Sequence, residues 1–432
     1  MHPIPVILIF DIGKTNKKLF VFNEAYRVVH ELSIQVVEIK DEDGFACEDI
    51  VTLSEWIKSS VALLKQDSAY TIKAIHHAAY GASLVYLNEE GKLIEPLYNY
   101  LKPFQQSTKN LFESSFGSID DISLATSSPY LGNLNAGLQL YRIKKEKPAL
   151  FQKIKWALHL PQYIHYLVTD ELATDITSIG CHTMLWNFAH HNYHHWVKEE
   201  GLDKLFPPLK TSVGLHDSSS ALIPYLSSFH EPFVLISTGT WCISLNPFNE
   251  IALTTNELKQ DSLCYLTFAG RPVKASRVFS GKEHELGVEA LNKYYNKPAE
   301  YFSTIHYNKS VHIDENFIIE DLLSSEDFET AYHNLVAKLV RKQIISTNLI
   351  LANTQVKRIF VDGGFSNNEI FMNMLATSYC EFEVFAAAIP QASALGAALL
   401  VHQKWNTQAI PNNLISLQYY STKTNEKGNY KS

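Results

Sequence analysis

VILIFDIGKTNKKLFVFN, Val6–Asn23, carries Gly13-Lys14-Thr15, the last three letters of a Walker-type phosphate loop. That loop also needs a glycine five residues before its Gly-Lys pair, to let the backbone curl round the phosphates, and a helix afterwards to aim amide N–H groups at them. Leu8 holds the glycine's place, inside an apolar run. After the turn, Leu19, Phe20, Val21 and Phe22 make a short β-favouring segment and no helix face. The stretch therefore predicts strand, tight glycine turn, strand, with Asp11, Gly13, Thr15, Asn16 and Lys18 gathered at the tip.

About half a chain later the plan recurs. FVLISTGTWCISLNPF, Phe233–Phe248, is again an apolar strand, a small polar turn at Gly239 and a second strand, with Trp241 reading as core. The echo predicts two similar lobes, 1–228 and 229–432, with Pro224 and Pro232 marking the crossing. Within the first, VHELSIQVVEIK and IKAIHHAAYGASLVYL read as further strands, and NAGLQLYRIKKEKPALF as a helix broken at Pro148. In the second, Leu335, Val336, Leu339 and Val340 lie at helical spacing in a long amphipathic segment. KRIFVDGGFSNNEIFMNMLA then reads as a strand, a Gly363-Gly364 turn and a helix opened by a Ser366–Glu369 capping box. Strands alternating with helices in both halves predict an α/β protein of two lobes around a cleft. The polar end, from about Asn406, reads as frayed.

Composition bounds the function. A chain of 432 residues with 46% hydrophobic content can fill two cores. A net charge of −8 argues against a nucleic-acid partner, which needs a basic surface. The five cysteines are scattered without a CxxC pair, which speaks against a disulfide framework or zinc knuckle and fits a reducing cytoplasm. MHPIP leads into the first strand without a basic flank, and no apolar run reaches the roughly 18 residues of a membrane span. The expectation is a cytoplasmic protein without membrane or nucleic-acid partners. Oligomeric state is left open, a homodimer included.

The turns suggest chemistry. Asp11, at a strand end, suits Mg²⁺ held through water, since magnesium takes one or two carboxylates and keeps most of its hydration. Gly13 admits close approach of a phosphate, Thr15 and Asn16 offer donors, and Lys18 offers charge. Thr238, Gly239 and Thr240 present hydroxyls and backbone N–H groups at the matching point of the second half. Gly363 and Gly364, followed by Asn367, offer a flat backbone to a base or ribose. Any one of these is equally an ordinary turn; three in this order point to a nucleotide.

These motifs resemble the FGGY family of carbohydrate kinases, within the actin/Hsp70/hexokinase superfamily of paired RNase H-like domains. DIGKTNKK is similar to that family's first phosphate motif, STGTW to the second and VDGGFSNN to the adenosine motif, while QASALGAALL resembles the helix that closes the site. Two departures stand out: Lys18 replaces a frequent arginine, and Gln139-Leu140-Tyr141 stands where a Lys-Leu-x-Trp stretch is usual. The resemblance implies an ATP- and Mg²⁺-dependent enzyme that moves the γ-phosphate to a hydroxyl of a small sugar. Asp217, in VGLHDSSSALIPYL, falls at the place of the catalytic base, although it would equally cap a helix ahead of Ser218. His216 beside it, and Tyr80, Gly81 and Ala82 in AAYGASL, match the sugar side of the rhamnulokinase and fuculokinase branch, whose substrates are 6-deoxyketohexoses such as L-rhamnulose or L-fuculose. A xylulose or ribulose kinase, or a non-catalytic actin-like nucleotide binder, is the alternative. The histidines at 190, 191, 194 and 195 read as a solvated turn.

Overall fold

The computed structural model describes residues 2–94, 96–312, 325–389 and 391–421. β1 (Ile4–Ile12) and β2 (Lys17–Asn23) pair antiparallel across the predicted turn, which the Gly13 N–H closes on the Asn16 carbonyl at 2.8 Å. β3 (Val28–Ile34) extends the hairpin antiparallel, while β4 (Tyr70–Ala79) lies parallel to β1 and β5 (Leu215–His216) parallel to β4. The sheet order is therefore β5-β4-β1-β2-β3.

The second sheet repeats this plan. It holds β6 (Phe233–Thr238), β7 (Cys242–Asn246), β8 (Ser262–Leu266), β9 (Pro272–Val278), β10 (Arg358–Gly363), β11 (Glu383–Ala388) and β12 (Ser416–Tyr420). Its order is β8-β9-β7-β6-β10-β11-β12. From β9 to β11 the pairings run antiparallel, antiparallel, parallel, parallel, as they do from β3 to β5 in the first sheet. The echo between the two hairpins is thus a shared topology, that of paired RNase H-like α/β units.

Both sheets are covered on both faces, which explains why their opening strands are continuous apolar runs. The helices that matter here are α1 (Ile50–Gln66), α2 (Asp217–Ala221), α3 (Ser280–Tyr294), α4 (Phe328–Leu351), α5 (Glu369–Ser378) and α6 (Ala392–Leu400). Along β1, Val6, Leu8, Phe10 and Ile12 pack with Leu53 and Ile57 of α1, whereas Ile7 and Ile9 pack with Ala394 and Leu395 of α6. Along β6, Val234 and Ile236 pack with Leu335 and Leu339 of α4, and Phe233 and Leu235 with Tyr225. Fully burying each of these large apolar side chains contributes about 1.5–3 kcal/mol. The halves interlock: α6 lies on the first sheet, and Leu266, from the end of β8, joins the first lobe's cluster with Ile179 and Leu185.

Three local expectations are corrected. α5 begins two residues later than the sequence suggests: Asn368 accepts the Phe371 N–H at 3.0 Å as its cap, and Ser366 bonds back to Gly363 within a tight 3-10 turn. The segment after Asn406 is not frayed throughout, because Ser416–Tyr420 adds an edge strand to β11; the end beyond 421 lies outside the described residues. Trp241 is no core residue. It is 45% exposed and packs on Phe279 at a centroid distance of 4.6 Å, with the Arg277 guanidinium over its ring. Among the described residues no helix is long and apolar enough to cross a membrane.

Candidate active site

The carboxyl ends of β1, β4 and β5 lie side by side, since Asp11 pairs in register with Ala78, and His216 with Ala79. In α/β sheets this edge is where ligands bind. It gathers Asp11 from β1, Tyr80–Ala82 from the turn after β4, and His216 with Asp217 from the junction of β5 and α2. Burial lifts the Asp11 carboxyl to about 7, the nearby Asp217 charge adds to the rise, and Lys18 opposes it. Two carboxylates that disfavour each other's charge, with no cation bonded to Asp11 among the described residues, make a fitting seat for a divalent ion. Lys18 is the cross-strand partner of Asp11, yet its ammonium lies on Glu31 at 2.8 Å. Thr15 and Asn16 stand exposed at the tip.

Asp217 begins α2 and is about a third exposed (32%). Its Oδ1 accepts the Ser218 N–H at 2.6 Å, so the carboxylate is fixed to the first turn, and His216 Nε2 lies 3.4 Å from the same oxygen. His216 in turn is held from below. Its backbone N–H donates to Thr177 Oγ1 at 3.0 Å, and Thr177 donates through both its N–H and its hydroxyl to the buried Asp175. Burial pushes Asp175 up to about 7 and holds His216 below its ordinary value, so the His216 ring is neutral, against the opposing pull of Asp217. Asp175 and Thr177 escaped the sequence reading, because nothing in DITSIG marks a partner about 40 residues downstream.

Gly81 backs directly on the His216 ring, and Ala82 is buried at φ 65°. Tyr80 is bonded away from that ring. Its hydroxyl donates to the buried Glu48 at 2.8 Å, and Lys17 reaches the same carboxylate at 3.0 Å. Lys14 spans Glu38 at 3.1 Å and Glu48 at 3.5 Å. Lys14 and Lys17 of the hairpin are therefore anchored through Glu48 to the turn after β4. Glu48, one acid among many in the sequence, carried no signal of this.

The second lobe offers a cavity of about 540 Å³ lined by Thr238, Gly239, Gly281, His284, Phe302, Tyr332, Gly364, Phe365, Asn367 and Glu369, among others. Its size suits a nucleoside. Thr238, Gly239, Gly364 and Asn367 were expected here; His284 and Tyr332 on α3 and α4 were not assigned. His284 contacts the Tyr332 hydroxyl at 3.0 Å, Asn368 donates to that hydroxyl at 2.7 Å, and burial pushes His284 down to about 4. Thr238 is spoken for: its hydroxyl donates to the Asp362 carbonyl and accepts the Phe365 N–H at 2.9 Å, which ties the hairpin to the Gly-Gly turn. Gly363 sits at φ +80°, and a Cβ there would meet the Thr238 carbonyl oxygen at 1.9 Å. Thr240 is exposed, and its carbonyl accepts the Lys282 N–H of α3 at 3.2 Å. The cavity with its glycine cradle thus fits a nucleotide, and the Asp11–Asp217 carboxylate pair fits a divalent cation.

The N-terminal domain model of the FGGY family of carbohydrate kinases matches residues 6–212, and the carbohydrate kinase FGGY C-terminal domain model matches residues 230–308. The chain belongs to the FGGY family of carbohydrate kinases. The kinase is 22% identical over 408 residues to a rhamnulokinase of Mannheimia succiniciproducens, covering 85% of this chain and 83% of the relative. A carbohydrate kinase from Novosphingobium aromaticivorans superposes with a TM-score of 0.76 at 20% identity, over 97% of each chain. A ligand-bound xylulose kinase from Lactobacillus acidophilus gives 0.75 at 14% identity, over 96% of this chain and 93% of the other. At such identities these structures speak for the fold. The enzyme is an ATP-dependent carbohydrate kinase.

In this kinase the start of α3 packs directly against the second hairpin. A Cβ on Gly281 would lie 1.8 Å from the Gly239 carbonyl oxygen, so Gly281→Ala must displace the second hairpin by more than an ångström. The expected outcome is a loss of about 10²-fold in kcat/KM for ATP, the usual cost of a 1 Å misplacement. Steady-state kinetics at varied ATP measure it; wild-type values would remove Gly281 from the phosphate cradle.

Proposed function

We propose that the enzyme phosphorylates a hydroxyl of a ketose, with a 6-deoxyketohexose such as L-rhamnulose or L-fuculose as first choice, and with Asp217 as general base. The observation that carries this reading is the His216–Asp217 pair at the head of α2, on the ligand-binding edge of the first sheet and coupled electrostatically to Asp11. Asp217 takes the proton of the attacking hydroxyl, and the neutral His216, braced by Thr177, holds a neighbouring sugar hydroxyl. Gly81 lets the turn after β4 back directly on the His216 ring, and Tyr80 sets that turn through Glu48.

Mg·ATP, when bound, supplies the phosphoryl group and the cation that neutralises its charge. Asp11 would hold that cation through water. Gly13, Thr15, Asn16 and Lys18 would attend the phosphates from the first lobe, and Gly239 and Thr240 from the second. Gly363, Gly364 and Asn367 would frame the adenosine. Thr238 serves this site by joining hairpin to turn. We place the lobe boundary near 228/229 and the protein in the cytoplasm, with a homodimer as the assembly to look for.

The deoxyketose choice draws on the rhamnulokinase relative, and on the absence from the first lobe of the Gln-Met-His-Gly stretch expected of a xylulose kinase. ADP release measured with L-rhamnulose, L-fuculose, L- and D-xylulose, D-ribulose and glycerol tests it. The highest kcat/KM is expected for one of the two deoxyketoses. A pentulose or glycerol leading the panel would overturn the substrate, and no stimulation by any of them would overturn the ketose.

A further inference from the structure

Cys181, His182 and His216 stand together behind the catalytic carboxylate, all buried. The Cys181 Sγ and one ring nitrogen from each histidine lie within 4.8 Å of one another. A tetrahedral ion with bonds of about 2.0–2.3 Å needs such atoms roughly 3.5 Å apart, within reach of small side-chain rotations. The Nδ1 atoms of His182 and His216 are both buried and have no hydrogen-bond partner, a condition that buried polar groups seldom tolerate. Space converges on the same spot: a Cβ on Gly81 would meet Cys181 Sγ at 2.9 Å and His216 Nε2 at 3.0 Å. Tyr265 of β8 closes the far side, its ring 5.2 Å from that of His216 and 6.2 Å from that of His182.

We propose that these three side chains bind one zinc-class divalent cation, and that the bound ion inhibits the kinase by taking His216 away from the sugar and drawing on Asp217. The inhibition rests on the reading of His216 and Asp217 given above; the binding does not. Thiolate and imidazole select Zn²⁺ or Cd²⁺ and leave Mg²⁺, which demands oxygen ligands, to the phosphate site. The Cys181 thiol donates to the Ser178 carbonyl at 3.1 Å and loses that proton to solvent when the metal–sulfur bond forms. The resulting thiolate carries one negative charge, and the Asp217 carboxylate, 3.4 Å from His216 Nε2, supplies the second that balances the ion.

Cd²⁺ titration of the full chain tests binding, read from the ultraviolet thiolate-to-metal charge-transfer band. A Cys380→Ser background removes the exposed thiol. One equivalent should develop the band, and Cys181→Ser, which keeps a donor for the Ser178 carbonyl, should abolish it. In parallel, Zn²⁺ should inhibit sugar phosphorylation under saturating Mg·ATP, competitively with the sugar and reversibly with a zinc-selective chelator. Cys181→Ser should need at least tenfold more Zn²⁺ for half-inhibition, and His182→Asn the same. No band in the Cys380→Ser protein, or zinc sensitivity unchanged from the wild type in Cys181→Ser and His182→Asn, would overturn the proposal. A band in a protein that phosphorylates no sugar would retain the metal site and reject the catalytic reading instead.

Discussion

Asp217→Asn is expected to lower kcat by about 10²–10⁴-fold, the usual worth of a positioned general base, with ATP affinity unchanged. The substitution is close to isosteric, and the local structure survives it: the amide oxygen of the new side chain can still accept the Ser218 N–H that Asp217 Oδ1 accepts at 2.6 Å. What is lost is the charge. Without a carboxylate, the attacking hydroxyl must give up its proton to water, while positioning and the nucleotide contacts on the second lobe persist. Removing the charge also relieves one of the two influences that raise Asp11. Single-turnover kinetics with saturating sugar, together with calorimetric titration of the nucleotide, separate the two effects. Near wild-type turnover in this variant would move the base elsewhere. A loss of nucleotide affinity equal to the loss of kcat would mean that Asp217 acts in binding.

The sequence was most informative where geometry is local. The apolar runs around Gly13 and Gly239 follow directly from strands buried on both faces, and their recurrence half a chain apart is the shared topology of the two sheets. The Gly363-Gly364 turn was legible because φ +80° and contact with the Thr238 backbone admit little but glycine. What was hidden depends on contacts between distant segments. Glu48 binds Lys14, Lys17 and Tyr80 from outside its own segment, and Asp175 reaches His216 only through Thr177. Trp241 read as core on hydrophobicity alone, whereas its place beside a hairpin tip leaves it exposed. Ser366 and Asn368 are both good caps, and the tight turn after β10 decides for the second.

Mild acid should unfold the enzyme well above the carboxylate range. His76, His77, His159 and His182 are buried, and desolvation holds all of them below the ordinary histidine value, His76 and His159 at about 3. His165, His194, His216 and His284 are depressed in the same sense. In the unfolded chain each takes up a proton near pH 6.5, so the unfolded state binds more protons below that point. The stability these groups lend is whole above about pH 6.5 and is lost as pH falls toward their folded values. Asp11 and Asp175 at about 7, and Asp362 at about 6, work the other way, since burial makes the folded state bind their protons first. The histidines outnumber them, so stability falls as the pH drops below 6.5. Urea midpoints at pH 7.5, 6.5 and 5.5 should therefore be nearly equal for the first two and fall sharply at the third. A midpoint that stays level to pH 5 would mean that the buried imidazoles keep their ordinary values, most simply because water reaches the unpartnered nitrogens of His77 and His159.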